Sequence, residues 1–135
     1  MTETLYLDSN IFIYAFSDDQ QFGKLARQLL SAVKDGEKKA CTSSITFNEG
    51  MHVLRKITTF EDSVTFGEHF LGMENLRILE LNSTILYGSL ELIKKYRLRP
   101  SDAIHIATAL AARADTFYTQ DSDLKKIKEI HIRSL

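Results

Sequence analysis

The chain has 135 residues, a length that suits one domain over residues 1–135 with a single hydrophobic core. Its hydrophobic content of 44% and charged content of 26% exclude a disordered or low-complexity chain. A net charge of -1 excludes a global positive field that attracts nucleic acid, so such a ligand needs a local patch or a metal ion.

Cysteine content and hydropathy predict a cytoplasmic protein. Cys41 is the only cysteine, which excludes an intrachain disulfide and a thiolate-rich zinc site. The N-terminus carries Glu3 and Asp8 rather than a basic, apolar leader, and the early apolar run 11–16 is too short to cross a bilayer. We therefore expect neither export nor membrane insertion.

In the first half of the chain, two short strands alternate with helices. The first strand ends at Asp8, after which Ser9 and Asn10 offer side chains that can cap a helix. Apolar residues then recur at three- and four-residue intervals until Gly36, which is typical of a helix and its C-terminal stop. The predicted elements are a strand over 4–7, a helix through residue 15, a helix from 18 to 36, a strand over 39–43 and a helix over 45–57.

The second half repeats this alternation. Asn82 is placed to cap one helix, and Pro100 separates that helix from an alanine-rich helix that begins at Ser101. The predicted elements are an amphipathic helix over 60–73, a strand over 77–81, a helix over 83–96, a helix over 101–114, and strands over 116–119 and 130–133.

Strands separated by helices predict an α/β fold with three layers, in which helices cover both faces of a short-stranded parallel sheet. In such a sheet, residues that directly follow a strand gather at its carboxyl edge, where ligands bind. Asp8 and Asp121 follow predicted strands, Glu49 lies early in a helix after a strand, and Asp102 opens the helix that leads into a strand. We therefore expect these four carboxylates to converge at one edge.

Each acid also has a local structural explanation. Asp8 could cap its helix, and Asp102 could complement the positive end of its helix dipole. Residues 46–49 match a capping box, in which Glu49 bonds to the Thr46 amide. Asp121 could form an Asx-turn between strand and helix.

Convergence favours a metal site over isolated caps. Four carboxylates in one cleft repel each other unless a cation neutralises them, and no Lys or Arg lies inside the four short motifs that contain them. Oxygen ligands without cysteine select Mg²⁺ or Mn²⁺ rather than zinc. Because Mg²⁺ commonly joins carboxylates to substrate phosphates, phosphodiester cleavage is the chemistry that the pattern indicates.

The ordered motifs, together with Asn10 and Thr119, resemble those of the PIN-domain nucleases over about residues 5–124. Within that family the chain is similar to small, free-standing bacterial and archaeal toxins of the VapC type. The resemblance implies a Mg²⁺- or Mn²⁺-dependent endoribonuclease with a PIN-like fold. It also implies an RNA substrate, a cognate antitoxin protein and a homodimer. The site residues that it implies are Asp8, Asp102 and Asp121 as metal ligands, Glu49 as a direct or water-mediated ligand, Asn10 and Thr119 as supporting residues, and Asp123 as either a fifth acid or a helix cap.

Three other interpretations remain beside the toxin hypothesis. The chain could be a housekeeping RNA-processing nuclease, or a catalytically silent PIN-like interaction module. A phosphoacceptor receiver domain is the third, but its acidic pair after the first strand and its lysine after a late strand are missing.

Two further groups of residues carry predictions. Glu49-x-x-His52 and Asp102-x-x-His105 are typical of di-iron bundles, but the acids stand at element ends, so we interpret both histidines as packing or helix-face residues. A basic cluster precedes the Asp102 motif and either complements a helix dipole or contacts RNA phosphates. Its members are Lys94, Lys95, Arg97 and Arg99.

Overall fold

Five short strands form one parallel sheet in a computed structural model that describes residues 3–135. The strands are β1 (Thr4–Leu7), β2 (Lys39–Ser43), β3 (Leu76–Leu79), β4 (Thr116–Tyr118) and β5 (His131–Arg133). Their order across the sheet is β3-β2-β1-β4-β5, and every neighbouring pair is parallel. Because β2 and β4 flank β1, the chain reverses its winding direction at β1, and the crevice at its carboxyl end is the expected ligand position.

Helices connect these strands. They are α1 (Ser9–Ser17), α2 (Gly23–Lys34), α3 (Ile45–Ile57), α4 (Phe60–Leu71), α5 (Ser83–Tyr96) and α6 (Pro100–Ala111), and a 3₁₀ helix covers Ser122–Lys126. None of the helices between residues 3 and 135 is long and apolar enough to cross a membrane.

The sheet separates two hydrophobic cores. Leu5 and Leu7 of β1 face a cluster that includes Phe66 and Phe70 of α4. Tyr6, which lies between them in sequence, points to the opposite face and stacks on Phe117 with ring centroids 4.9 Å apart. This alternation gives helices on both faces of the sheet, so the predicted three-layer α/β fold is confirmed.

Several element bounds differ from the prediction. Helix α2 begins at Gly23 rather than near Asp18, because Asp18 ends α1 in the left-handed conformation and the Asp19 carboxylate accepts the Phe22 N–H across the turn. Helix α6 ends at Ala111 rather than residue 114, since Arg113 has a φ of 57°. Strand β3 ends at Leu79, two residues earlier than predicted.

Two buried positions show how closely the layers pack. A Cβ at Gly50 of α3 would lie 2.4 Å from the Phe66 ring, so α3 and α4 approach each other through a residue without a side chain. Cys41 of β2 is a buried free thiol, as predicted, and its burial raises its pKa to about 11. Gly50 is therefore not free to accept a side chain unless Phe66 moves.

Candidate active site

Asp8 lies directly after β1 and forms three hydrogen bonds. Its backbone N–H donates to the Tyr118 carbonyl at 3.0 Å, while its Oδ1 accepts the Ser9 N–H and its Oδ2 accepts the Thr119 hydroxyl, both at 2.8 Å. Asp8 is therefore the N-cap of α1, and it is only 5% exposed. Helix α1, β4 and the residue after β4 fix the direction of this carboxylate.

Glu49 does not form the predicted capping box, and that alternative was wrong. Helix α3 begins one residue before Thr46, so Thr46 is inside the helix and its hydroxyl pairs with Thr42 at 2.8 Å. The Glu49 carboxylate instead accepts the Ser101 hydroxyl, and its Oε1 lies 2.6 Å from Nε2 of His105. Burial alone would raise the pKa of Glu49, but these two hydrogen bonds and the charge of His105 lower it overall.

His105 belongs to the site, which corrects its interpretation as a packing residue. Its ring is 1% exposed, with Nδ1 2.6 Å from the Tyr6 hydroxyl and Nε2 3.6 Å from Oδ1 of Asp8. Burial disfavours the charged ring, but the Glu49 hydrogen bond and the nearby carboxylates outweigh it and raise the pKa of His105. The i, i+3 spacing from Asp102 was the available signal, since it places His105 one helical turn along α6.

Asp102 and Asp121 share one guanidinium. Nε of Arg99 lies 3.1 Å from Oδ2 of Asp102, and Nη2 of Arg99 lies 3.2 Å from Oδ2 of Asp121. Burial raises the pKa of Asp102, the Arg99 charge opposes the rise, and the charges of Asp8 and Asp121 add to it. The four motifs therefore do have a counter-charge, which stands directly before Pro100.

Asp121 also shapes the turn after β4. Its N–H donates to the Thr119 hydroxyl at 3.0 Å, and its Oδ1 accepts the Asp123 N–H at 2.9 Å. Asp121 thus forms the predicted Asx-turn and is itself the N-cap of the 3₁₀ helix, so the alternative in which Asp123 caps that helix was wrong. Asp123 supplies only its backbone to these contacts, and its side chain is exposed outside the pocket that the other acids line.

The four acids line one pocket of about 310 Å³ at the carboxyl edge of the sheet. The convergence expected from topology is thus what the structure shows. The pocket is lined by Asp8, Ser9, Asn10, Glu49, Arg99, Ser101, Asp102, His105 and Asp121.

The donors around this pocket fit a hard cation. Four carboxylates and no thiolate surround it, a set that suits Mg²⁺ or Mn²⁺. Oδ1 of Asn10 is buried without a hydrogen-bond partner among residues 3–135, although a buried carbonyl oxygen ordinarily has one. In the same residues no three acidic, histidine or cysteine side chains form a compact ligand set, and Arg99 pairs with both Asp102 and Asp121. Arg99 is 76% exposed, so its side chain has room to move away.

The four basic candidates occupy different settings. Lys94 pairs with Glu91 at 3.3 Å, and Lys95 pairs with Glu129 at 3.1 Å. Arg97 ends α5 in the left-handed conformation, with its side chain exposed. Of the four, Arg99 is the member that lines the pocket.

With its fold and acidic pocket in place, the chain belongs to the PIN-domain family, whose model matches residues 5–130. Two similar relatives come from Methanocaldococcus jannaschii. Ribonuclease VapC6 is 28% identical, covering 95% of each chain, and Ribonuclease VapC2 is 28% identical, covering 95% of this chain and 91% of the relative. The predicted resemblance to VapC ribonucleases is confirmed.

Several solved structures of toxin-antitoxin proteins have the same fold as this chain. VapBC2 from Rickettsia felis, bound to a DNA fragment from its promoter, matches with a TM-score of 0.75 and 19% identity over 97% of this chain and 98% of that one. VapC20 from Mycobacterium tuberculosis, a toxin that cleaves the sarcin-ricin loop, matches with a TM-score of 0.76 and 14% identity over 93% and 98%. A toxin-antitoxin complex from Klebsiella pneumoniae matches with a TM-score of 0.66 and 25% identity over 93% and 94%.

Proposed function

We propose that this chain is a Mg²⁺- or Mn²⁺-dependent endoribonuclease that acts in the cytoplasm as the toxin of a type II toxin-antitoxin pair. One observation carries the proposal: carboxylates from four separate parts of the chain line a single pocket beside an Asn10 oxygen that has no hydrogen-bond partner in the described part of the chain. The ribonuclease names of the VapC relatives support the substrate class.

The pocket residues divide into ligands and supports. Asp8, Asp102 and Asp121 are the proposed metal ligands, and Glu49 contacts the metal directly or through water. A bound Mg²⁺ or Mn²⁺ supplies a water of lowered pKa and charge stabilisation for a phosphate. The Thr119 hydroxyl orients Asp8 through its 2.8 Å hydrogen bond. Asn10 adds a neutral oxygen, and Asp123 remains a turn residue.

Arg99 is the proposed contact for the substrate phosphate. It is exposed and reaches both Asp102 and Asp121. Its fork-shaped guanidinium matches a phosphate as well as a carboxylate, so it can exchange one for the other when a cation neutralises the acids. Lys94 and Lys95 already have acidic partners, which makes them weaker candidates.

The proposed partners are a cognate antitoxin and a second copy of the chain. The Rickettsia felis VapBC2 and Klebsiella pneumoniae toxin-antitoxin structures support an antitoxin partner. A homodimer is implied by the family resemblance alone. We propose that residues 1–135 act as one PIN domain in both assemblies.

Cleavage of structured RNA by the purified chain in Mn²⁺ tests the activity. We expect chelation to abolish cleavage because it removes the metal. We expect Asp8→Asn to abolish cleavage because it removes a proposed metal ligand, which is also the most buried acid of the pocket. Asp35→Asn is the control, since Asp35 is an exposed acid at the end of α2 and should leave cleavage unchanged. Cleavage that survives both chelation and Asp8→Asn would refute the metal mechanism.

Growth and metal binding separate the remaining alternatives. Expression without an antitoxin should arrest growth for the unmodified chain but not for Asp8→Asn at equal protein levels. Normal growth with active RNA cleavage would indicate RNA processing rather than a toxin. Calorimetry that detects no Mn²⁺ binding would indicate a catalytically silent interaction module.

A further inference from the structure

A second groove begins at the acidic pocket and follows the edge of the sheet. It has a volume of about 960 Å³, and the 3₁₀ helix and residues 127–134, which include β5, form its walls. We call it the β5 groove. Asp121 lines both this groove and the acidic pocket, so a ligand could pass continuously from one to the other.

The acids of the β5 groove already have partners. Asp121 is paired with Arg99 at 3.2 Å. Oε2 of Glu129 lies 3.1 Å from Nζ of Lys95, and its Oε1 accepts the Tyr96 hydroxyl at 2.5 Å. The hydrogen bond from Tyr96, together with Lys95, lowers the pKa of Glu129, which holds it as a paired carboxylate.

Within residues 3–135, the cations of the groove have no such acidic partners. Lys125, Lys128 and Arg133 are exposed and line the groove, and none of them forms a salt bridge within residues 3–135. The groove therefore presents three positive charges that no acid of the described residues pairs with, although the whole chain has a net charge of -1. This is the local positive patch that an anionic polymer requires on such a chain.

Arg133 is also held in place before any ligand binds. Its guanidinium lies 5.6 Å from the centroid of the Tyr118 ring, within cation-π range. Its carbonyl accepts the N–H of Thr119, the residue that orients Asp8. The same short segment therefore connects the groove to the acidic pocket.

We propose that the β5 groove binds the RNA strand on one side of the scissile phosphate, with Lys125, Lys128 and Arg133 contacting successive backbone phosphates. This inference rests on the proposed ribonuclease function, and it assigns the substrate a direction away from the pocket. Phosphate contacts of this kind position a nucleic acid without reading its sequence.

The alternative occupant, an added strand from a protein partner, is less suited to this edge. Strand β5 has only three residues, and its exposed positions, His131 and Arg133, carry polar or charged side chains. Short strands with basic side chains are the features by which sheet edges avoid pairing with other chains. A phosphate backbone needs charges rather than a long pairing edge.

The test measures RNA binding without cleavage. In an Asp8→Asn background, fluorescence anisotropy follows a labelled single-stranded oligoribonucleotide over a series of salt concentrations. The groove variant is Lys125→Gln/Lys128→Gln/Arg133→Gln. The control variant, Lys24→Gln/Lys38→Gln/Lys56→Gln, removes three exposed charges elsewhere.

We expect the groove variant to lower the magnitude of the log K against log salt slope by about 2, since each phosphate contact on a single strand contributes about 0.7. Binding at moderate salt should weaken roughly tenfold, and the control should change by less than about twofold. If circular dichroism shows the triple variant misfolded, the three single variants should each lower the slope by about 0.7.

Equal slopes for the groove and control variants would overturn the inference, as would undetectable RNA binding in the Asp8→Asn background. The cleavage assay of the unmodified chain is read separately. If the unmodified chain cleaves RNA but the groove and control variants have equal salt slopes, the proposed function stands and the groove inference is refuted. If the groove variant loses RNA binding but the unmodified chain cleaves no RNA, the result supports RNA binding by the β5 groove and refutes the proposed ribonuclease activity.

Discussion

His105→Ala should destabilise the protein more than any exposed substitution, because its ring joins the buried Tyr6 to the partly buried Glu49. Nδ1 lies 2.6 Å from the Tyr6 hydroxyl and Nε2 lies 2.6 Å from Oε1 of Glu49. Removing the ring leaves both groups without this partner. It also leaves a cavity between β1 and α6.

The two lost hydrogen bonds set the magnitude. Tyr6 is 0% exposed, so the loss of the His105 partner of its hydroxyl should cost about 1–3 kcal/mol. The bond to Glu49 involves a charged group, a class worth about 1.5–3 kcal/mol, and its value is at the lower end here because the Glu49 side chain is 29% exposed. Together with the cavity, we expect His105→Ala to lower the free energy of unfolding by about 3–5 kcal/mol.

Urea denaturation of the metal-free protein measures this loss against two matched variants. Tyr6→Phe removes one of the two bonds and should cost about 1–3 kcal/mol, because Nδ1 of His105 is left unpaired. His52→Ala changes an exposed histidine on α3 and should stay within about 0.5 kcal/mol. The double variant Tyr6→Phe/His105→Ala should cost less than the sum of the single changes, since both remove the same bond.

An unfolding free energy for His105→Ala equal to that of His52→Ala would refute the reasoning. Strict additivity of Tyr6→Phe and His105→Ala would refute it in a different way. That result would mean that the two side chains do not stabilise each other, whatever their separation.

Three further predictions test packing, pH dependence and the counter-charge. Gly50→Ala should destabilise the protein by about 1–3 kcal/mol, because the new Cβ overlaps the Phe66 ring, whereas Gly88→Ala in α5 meets nothing closer than 3.7 Å and should be neutral or stabilising in urea denaturation. The raised Cys41 pKa contributes stability that is complete below its usual value near 9 and is lost as pH rises through about 11, so Cys41→Ala should show a smaller alkaline loss of stability. Arg99→Gln should strengthen Mn²⁺ binding several-fold in calorimetry by freeing two carboxylates, and weaker binding would contradict this.

Local signals in the sequence were enough to predict most of the fold. Asn82 caps α5 through its side chain, as predicted, because the Ile85 N–H is a local partner three residues away. The start of α2 was misplaced because residues 18–21, which are all polar and precede Phe22, the first apolar residue of the pattern, form a turn rather than the first turn of the helix. The turn contains Asp18 in the left-handed conformation and is closed by the Asp19 carboxylate. The spacing of apolar residues predicts neither feature.

The acids could be predicted to meet, but their partners could not. Convergence follows from parallel strands and the direction of α6, which are properties of the chain order. The contacts of Glu49 with Ser101 and His105 join residues more than fifty positions apart. The link from Arg99 to Asp121 crosses 22 positions and depends on how two loops are folded. Such pairs depend on tertiary packing, which no local motif encodes.

Asp8 and Asp121 can cap their helices and bind a metal ion at the same time. An ionised carboxylate has about four acceptor sites on its two oxygens. Asp8 uses one for the Ser9 N–H and one for the Thr119 hydroxyl, while Asp121 uses one for the Asp123 N–H and shares its other oxygen with Arg99. Each acid keeps acceptor capacity for a cation while its cap stays formed. The caps therefore support the proposed site, because they orient Asp8 and Asp121 before a metal or phosphate arrives.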